Sequence, residues 1–257
     1  MKILVVNDDG IDSPGIRALV NELKKLGEVT VSAPLSGMSG AGHGLSINKV
    51  LRVEKRQYDE DVVGYAVEGT PRDCAELGIN AFMKDGIDLL VTGINQGSNL
   101  SNNIPCSGTC GAACTGLDYG VPAIAVSLDF GDEYDYRYSA EVARQMAQWF
   151  ISQPFNRKFV LNVNVPNRPR EEIRGYHICG HGGNYLYHQD LTPRYDGRYY
   201  YYDTSASEFS FVNLVESLDG DIYALHQGYI TLSPIRLDMI SYDDFPLIRK
   251  DLNQFRY

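Results

Sequence analysis

The chain is predicted to be an α/β protein built on a doubly wound, mostly parallel sheet, and three observations predict it. Apolar runs recur at Ile3–Val6, Val29–Ala33, Leu89–Thr92, Ala123–Leu128 and Phe159–Val165, and they are near-continuous rather than alternating. Strands covered on both faces read this way. Helical patterns separate the runs, so the repeated strand–helix order implies right-handed crossovers. With 257 residues and 44% hydrophobic content, the chain can also bury a full core.

Each element has a local reason. The first strand runs into "NDDGIDSPG", where Asp8 and Asp9 stand side by side. Successive strand side chains point to opposite faces, so the two carboxylates converge on one object only if the chain leaves strand geometry, which Gly10 permits. That object is expected to be cationic. Ser13 and Pro14 then read as N-cap and N1 of a helix with Ile16, Leu19, Val20, Leu23 and Leu26 on one face and Gly27 at its end. A second helix opens at "TPRDC", where Thr70 and Asp73 have capping-box spacing around Pro71, which makes Asp73 a cap rather than a catalyst. Tyr138–Ser152 reads as a third helix.

From about residue 166 the character changes to "YLYHQDLTPRYDGRYYYYD", dense in tyrosine and poor in helix signals, which reads as an extended hairpin or arm. Tyr199–Tyr202 could stack nucleobases, but covering an edge or joining subunits is the preferred reading. "HQGYITLSPIRLDMISYDD" looks like a further strand returning to the core. The division expected is therefore a catalytic core over residues 1–165 and an arm with a C-terminal extension over 166–257.

Charge and composition exclude several classes. A net charge of −10 argues against binding to nucleic-acid backbones, which needs clustered Lys and Arg. No stretch of 18 or more apolar residues occurs and no leader precedes the first strand, so a soluble cytoplasmic protein with no membrane partner is expected. The five cysteines include Cys106, Cys110 and Cys114 at helical spacing but no CxxC pair, and reduced, packed thiols are preferred over a metal site.

In open α/β sheets, ligands bind outside the carboxyl ends of the strands. Four polar loops fall there: "NDDG", "SGMSGAGHG", "TGINQGSN" and "CSGTCGAA". Any one of them alone could be an ordinary turn or helix cap, but together they form a consistent site. Asp8 and Asp9 supply charge while Ser39 and Asn95 offer neutral oxygens, a donor set suited to one hard divalent cation such as Mg or Mn. Ser107, Gly108 and Thr109 open a helix whose N–H groups and hydroxyls suit an anion, and Asn99 is a further candidate for binding phosphate. A cation next to an anion pocket suggests phosphate. On this reading Thr109→Val weakens substrate binding and leaves metal binding nearly intact. His43 lies in the glycine-rich loop and could protonate a leaving group, although a lone loop histidine is commonly a hydrogen-bonding strut. His177, His181, His188 and His226 lack metal-ligand spacing and receive no role.

The segments "ILVVNDDGIDSPGI", "SAPLSGMSGAGHGLS", "YAVEGTPRDC", "DLLVTGINQGSN", "SGTCGAA" and "LNVNVP" resemble, in order, the motifs of the SurE family of metal-dependent nucleotidases and phosphatases, with coverage from residue 1 to about 240. The resemblance implies a Rossmann-like core, a protruding oligomerisation arm giving a homodimer or homotetramer, and a Mg- or Mn-type cation on Asp8, Asp9, Ser39 and Asn95. It implies hydrolysis of nucleoside monophosphates, with breadth toward 3′-nucleotides and polyphosphate. "PLSGMSG" departs from a family segment that usually carries a charged residue and Gln before the Ser, and Gln96 stands where Arg is frequent.

Rival classes lack their motifs. A signalling receiver domain needs an acceptor Asp where Asn95 stands, residues 7–12 do not supply GxGxxG, and neither GxxxxGK[ST] nor DxDx[TV] occurs. The remaining alternative is a nucleotide-binding sensor without turnover. For the chemistry, water activated at the cation is favoured, and direct attack by an aspartate giving an aspartyl-phosphate is the second route.

Overall fold

The computed structural model describes residues 1–154, 158–204 and 206–252; residues 253–257 of the expected C-terminal region lie outside the described residues. The first half comprises β1 (Lys2–Val6), α1 (Pro14–Leu23), β2 (Glu28–Pro34), β3 (Val53–Asp59), β4 (Val62–Val67), α2 (Pro71–Leu77) and β5 (Leu89–Gln96). Then come α3 (Gly108–Asp118), β6 (Ala123–Leu128), α4 (Tyr136–Ser152), β7 (Val160–Val165), β8 (Tyr176–Ile178) and β9 (Asn184–Gln189). The chain continues through β10 (Arg194–Tyr195), β11 (Tyr200–Tyr201), β12 (Ala206–Val212), α5 (Asp221–His226), β13 (Ile230–Ile235) and α6 (Phe245–Leu252).

Among the described residues the central sheet has nine strands in the order β3-β4-β2-β1-β5-β6-β7-β13-β8. The six strands from β4 to β7 in that order are mutually parallel, while β3 is antiparallel to β4 and β13 to β7. This is the predicted doubly wound α/β sheet. Its burial follows from strand geometry: Ile3 and Val5 of β1 join the cluster packed with α1 and α4, and Leu4 and Val6 join the opposite cluster with α2 and α3. All four are fully buried, each contributing roughly 1.5–3 kcal/mol by leaving water. A polar side chain among the four buried residues Ile3–Val6 would need a partner, and the acidic pair appears only where the strand ends.

The helix limits differ from expectation in instructive ways. α1 starts at Pro14 as predicted but ends at Leu23, with Lys24 as its C-cap. Gly27 does not terminate it; a Cβ there would lie 2.0 Å from the Met1 carbonyl oxygen, so the glycine is required by the close approach to the start of β1. α4 begins at Tyr136, two residues before the predicted start, because the Asp135 side chain accepts from the Arg137 N–H and caps it. The β3–β4 hairpin was not predicted: β3 reads VEKRQYD, mostly exposed, with no apolar period to betray a strand at the sheet edge.

The tyrosine-rich segment is an arm. β9 and β12 pair antiparallel, with β10 and β11 forming a second small ladder between them in sequence. Tyr185 of β9 is buried with Leu100, Ile222 and Leu225 at the base of the arm, whereas Tyr195 and Tyr199 to Tyr202 are exposed. β13 returns to the main sheet, as the sequence suggested.

The Thr70–Asp73 capping box forms as read: the Asp73 N–H donates to the Thr70 hydroxyl at 3.1 Å and the Thr70 N–H to Asp73 Oδ2 at 2.8 Å. Asp73 Oδ1 additionally accepts from the Ser46 N–H at 2.9 Å, fastening the glycine-rich loop to α2. Asp73→Ala is expected to lower unfolding stability by about 1–3 kcal/mol in urea titration, because two N–H groups lose their acceptor; an unchanged midpoint would show that neither bond matters.

Candidate active site

The site is built from the end of β1. Asn7 is buried, and its amide donates to the Gly10 carbonyl and to the Ser13 hydroxyl, both at 2.8 Å. Ser13 therefore stands at the N-cap position of α1 but uses its hydroxyl to fix the acidic turn rather than to cap the helix. Gly10 adopts φ +102°, the conformation that lets the chain leave the strand at this point.

Three elements meet at the two carboxylates. Asp8 is buried and accepts a hydrogen bond from the Thr109 hydroxyl in the first turn of α3. A Cβ on Gly108 would lie 2.7 Å from the Asp8 Cβ, so only glycine lets the helix end come this close. The Asp8 carbonyl accepts from the Met38 N–H at 2.7 Å, which draws in the loop after β2. Half-buried Asp9 accepts from the Gln96 N–H at 3.2 Å, at the end of β5.

The Asp8 carboxyl is pushed up to about 6, chiefly by burial and with help from the neighbouring Asp9 charge, against the opposing Thr109 hydrogen bond. Asp9 is also raised by burial, against the Gln96 N–H. Among the described residues no ion pair involves either carboxylate. Two adjacent, poorly solvated carboxylates without a cationic partner are the chemistry a hard cation satisfies. Asn95 donates from Nδ2 to the Gly97 carbonyl at 2.7 Å, which leaves its Oδ1 for such an ion. The residues present thus fit a divalent cation. No cluster of three or more His, Cys, Asp or Glu exists among the described residues, which accords with a site of two carboxylates completed by neutral oxygens.

A cavity of about 410 Å³ brings Asp8, Ser39, Asn95, Asn99 and Ser107 together. Ser107 is the N-cap of α3, accepting from the Cys110 N–H at 3.1 Å. Thr109 is fully buried with its hydroxyl on Asp8, so its side chain supports the carboxylate, and only its backbone can serve an anion. The Thr109 hydroxyl thus couples the first turn of α3 to the acidic pair, so Thr109→Val would remove a hydrogen bond from Asp8. His43 does not line the cavity; it is half-buried beside Arg72, whose Nη1 lies 3.3 Å from Nδ1, and burial followed by the Arg72 charge holds its pKa below the ordinary value.

Several residues of the site escaped the sequence reading. Asn164 accepts from the Asn99 N–H at 2.7 Å, and the Asn162 and Asn164 amides donate to the Asn99 carbonyl at 2.8 and 3.1 Å. The Asn99 amide donates to the Ser127 hydroxyl at 2.9 Å. The signal was present in "LNVNVP": two asparagines at i, i+2 in a strand buried on both faces need partners on one side. Phe130, from the loop after β6, and Tyr187, from β9, complete the wall and carried no local signal. All five cysteines are free, four of them buried.

The carboxylate shift sets a pH dependence. The folded Asp8 carboxyl titrates near 6, above its ordinary 3.8, so the folded state keeps a proton that the unfolded chain releases. Stability of the metal-free protein is therefore expected to fall by about 3 kcal/mol as pH rises through that window. Added Mn should raise the melting temperature more at pH 7.5 than at pH 5; an equal rise at both would remove Asp8 from the cation site.

Comparison with known proteins places this geometry. The family model for survival protein SurE matches residues 3–188. The 5′-nucleotidase SurE of Syntrophus aciditrophicus is 39% identical over 247 residues, covering 95% of this chain and 91% of that protein. That of Geobacter sulfurreducens is 38% identical over 261 residues, covering 100% and 96%. The crystal structure of the SurE protein from Aquifex aeolicus superposes with a TM-score of 0.78 at 31% identity, covering 97% of this chain and 99% of that one. Similarity that spans both the sheet and the arm, at this level of identity, makes the chain a member of the SurE family.

Proposed function

We propose that the chain is a divalent-metal-dependent phosphomonoesterase that hydrolyses nucleoside monophosphates, with Mg or Mn as the cation and with 3′-nucleotides and polyphosphate as further substrates. The observation that carries this reading is the buried Asp8 carboxylate, paired with Asp9, lacking a cationic partner among the described residues and pressed against the N-terminus of α3. The 5′-nucleotidase names of the relatives support the substrate class.

Asp8, Asp9, Ser39 and Asn95 would hold the cation. When bound, it supplies charge neutralisation at the phosphoryl oxygens and acidifies water. The Ser107 hydroxyl and the first-turn N–H groups of Gly108 and Thr109 meet the phosphate where the helix end carries partial positive charge. Asn99, fixed by four hydrogen bonds to β6 and β7, lines the same cavity. Water attacks phosphorus and loses its proton to the carboxylate pair, the P–O bond to the nucleoside breaks, and the departing oxygen takes up that proton, so that the nucleoside hydroxyl and inorganic phosphate leave. Fixed N–H donors stabilise the charge that develops in this step without reorganising.

Phosphate release from 5′-AMP is expected with Mn or Mg and abolished by EDTA. Nucleotide binding with no release would make the protein a sensor instead. Asp8→Asn should cut kcat/KM at least about 100-fold while calorimetry shows weakened Mn binding and circular dichroism an intact fold.

The exposed tyrosines of the arm support a second element of the reading, a homodimer or homotetramer, because an aromatic surface of this extent is a liability on a monomer. Deleting residues 185–202 is expected to lower the mass measured by light scattering, and an unchanged mass would place the contact elsewhere.

A further inference from the structure

The cavity wall has two chemistries. Asp8, Ser39, Asn95 and Ser107 form a polar part, and Phe130 and Tyr187 an aromatic one. Neither ring has work to do in phosphate hydrolysis. Each is nonetheless about half open, with Phe130 at 45% and Tyr187 at 52% exposure.

Both rings are held in place rather than left free. The Tyr187 hydroxyl accepts from Asn103 Nδ2 at 2.8 Å. Two residues earlier the Asn102 side chain pairs with the backbone of Tyr185, accepting from its N–H at 2.8 Å and donating to its carbonyl at 3.2 Å. The strand bearing Tyr187 is therefore fastened to the 3-10 turn Ser101–Cys106, which leads directly into α3. Phe130 packs on Gly97, where a Cβ would come within 2.5 Å of its ring, and its centroid lies 5.8 Å from that of Phe209 in β12. Gly97 is also the residue that orients the Asn95 amide. Each ring is thus tied to a segment carrying one part of the polar site.

We propose that Phe130 and Tyr187 form a nucleobase platform, on which the base of a nucleoside monophosphate rests while its phosphate is held at the N-terminus of α3. The inference rests on the nucleotidase reading above and adds the subsite that distinguishes a nucleotide from other phosphate esters. A cavity of about 410 Å³ lies within the range of small-ligand sites. Stacking accepts every base because each has a π-face, so the platform favours nucleotides over base-free phosphates without strict choice among bases. Because Tyr187 belongs to the arm, the arm takes part in substrate recognition.

The test compares kcat/KM for 5′-AMP and for ribose 5-phosphate in the full-length protein. The wild type should favour 5′-AMP, and the ratio should fall roughly ten-fold in Phe130→Ala and in Tyr187→Ala, chiefly through KM for 5′-AMP. Tyr187→Phe, which keeps the ring, should hold the ratio, whereas Phe130→Leu, which keeps bulk without a π-face, should lose it. No wild-type preference for 5′-AMP, an unchanged ratio in both alanine variants, or an equal loss for the two substrates would overturn the platform while leaving the phosphomonoesterase standing. If the wild type hydrolyses neither compound, the nucleotidase reading fails. Calorimetric binding of 5′-AMP against ribose 5-phosphate in the same variants then decides the platform, and failure to bind 5′-AMP would overturn it.

Discussion

The organisation of this protein turns on one carboxylate, Asp8, held where water hardly reaches it. A buried carboxylate without a counter-charge is costly, and a fold tolerates it only with compensating hydrogen bonds or a ligand. Here the Thr109 hydroxyl supplies one bond and the helix end behind it a favourable field. Many features around it follow from that placement. Gly108 must lack a side chain, Asn7 must fix the turn, and the loops after β2 and β5 must bring neutral oxygens rather than further charge.

A second layer keeps these loops where they are. The buried asparagines of β7 occupy a largely apolar sheet, and their amides are satisfied by the backbone of Asn99. An unsatisfied amide there would cost a few kcal/mol, so the network gives the loop a well-defined position instead of an ensemble. The loop after β6 is tied in the same way, with the Ser98 hydroxyl donating to Asp129 at 2.7 Å. A rigid sheet edge thus carries the polar groups, and the loops have little freedom to drift from it.

The arm is joined to the same edge. Asp221 of α5 accepts from the Ser101 N–H at 2.7 Å, and the Gly182 N–H donates to the Ser101 hydroxyl at 2.8 Å. With Asn102 on Tyr185, these bonds make the 3-10 turn before α3 a junction between the site and the hairpin. The arm base and the helix that faces Asp8 are thus both anchored at one short turn.

Much of this was legible in the linear chain. Both-face burial of β1, the start of α1, the capping box of α2 and the departure of the chain at Gly10 are local consequences of residue type and spacing, and each formed as read. Three of the four polar segments lie at the ends of β1, β2 and β5, and the fourth opens α3. The edge strand β3 was hidden because its exposed, charged face has no hydrophobic period. Residue type and spacing marked the buried parallel strands, the helices between them and the kind of donors offered at the sheet edge. Packing set how those donors are shared: Thr109 serves Asp8 across 101 residues, Asn164 serves Asn99 across 65, and Tyr187 reaches Asn103 across 84. Hydrogen bonds over such separations are selected by packing, where geometry and burial choose among many chemically equivalent partners, and no local pattern in the chain records that choice.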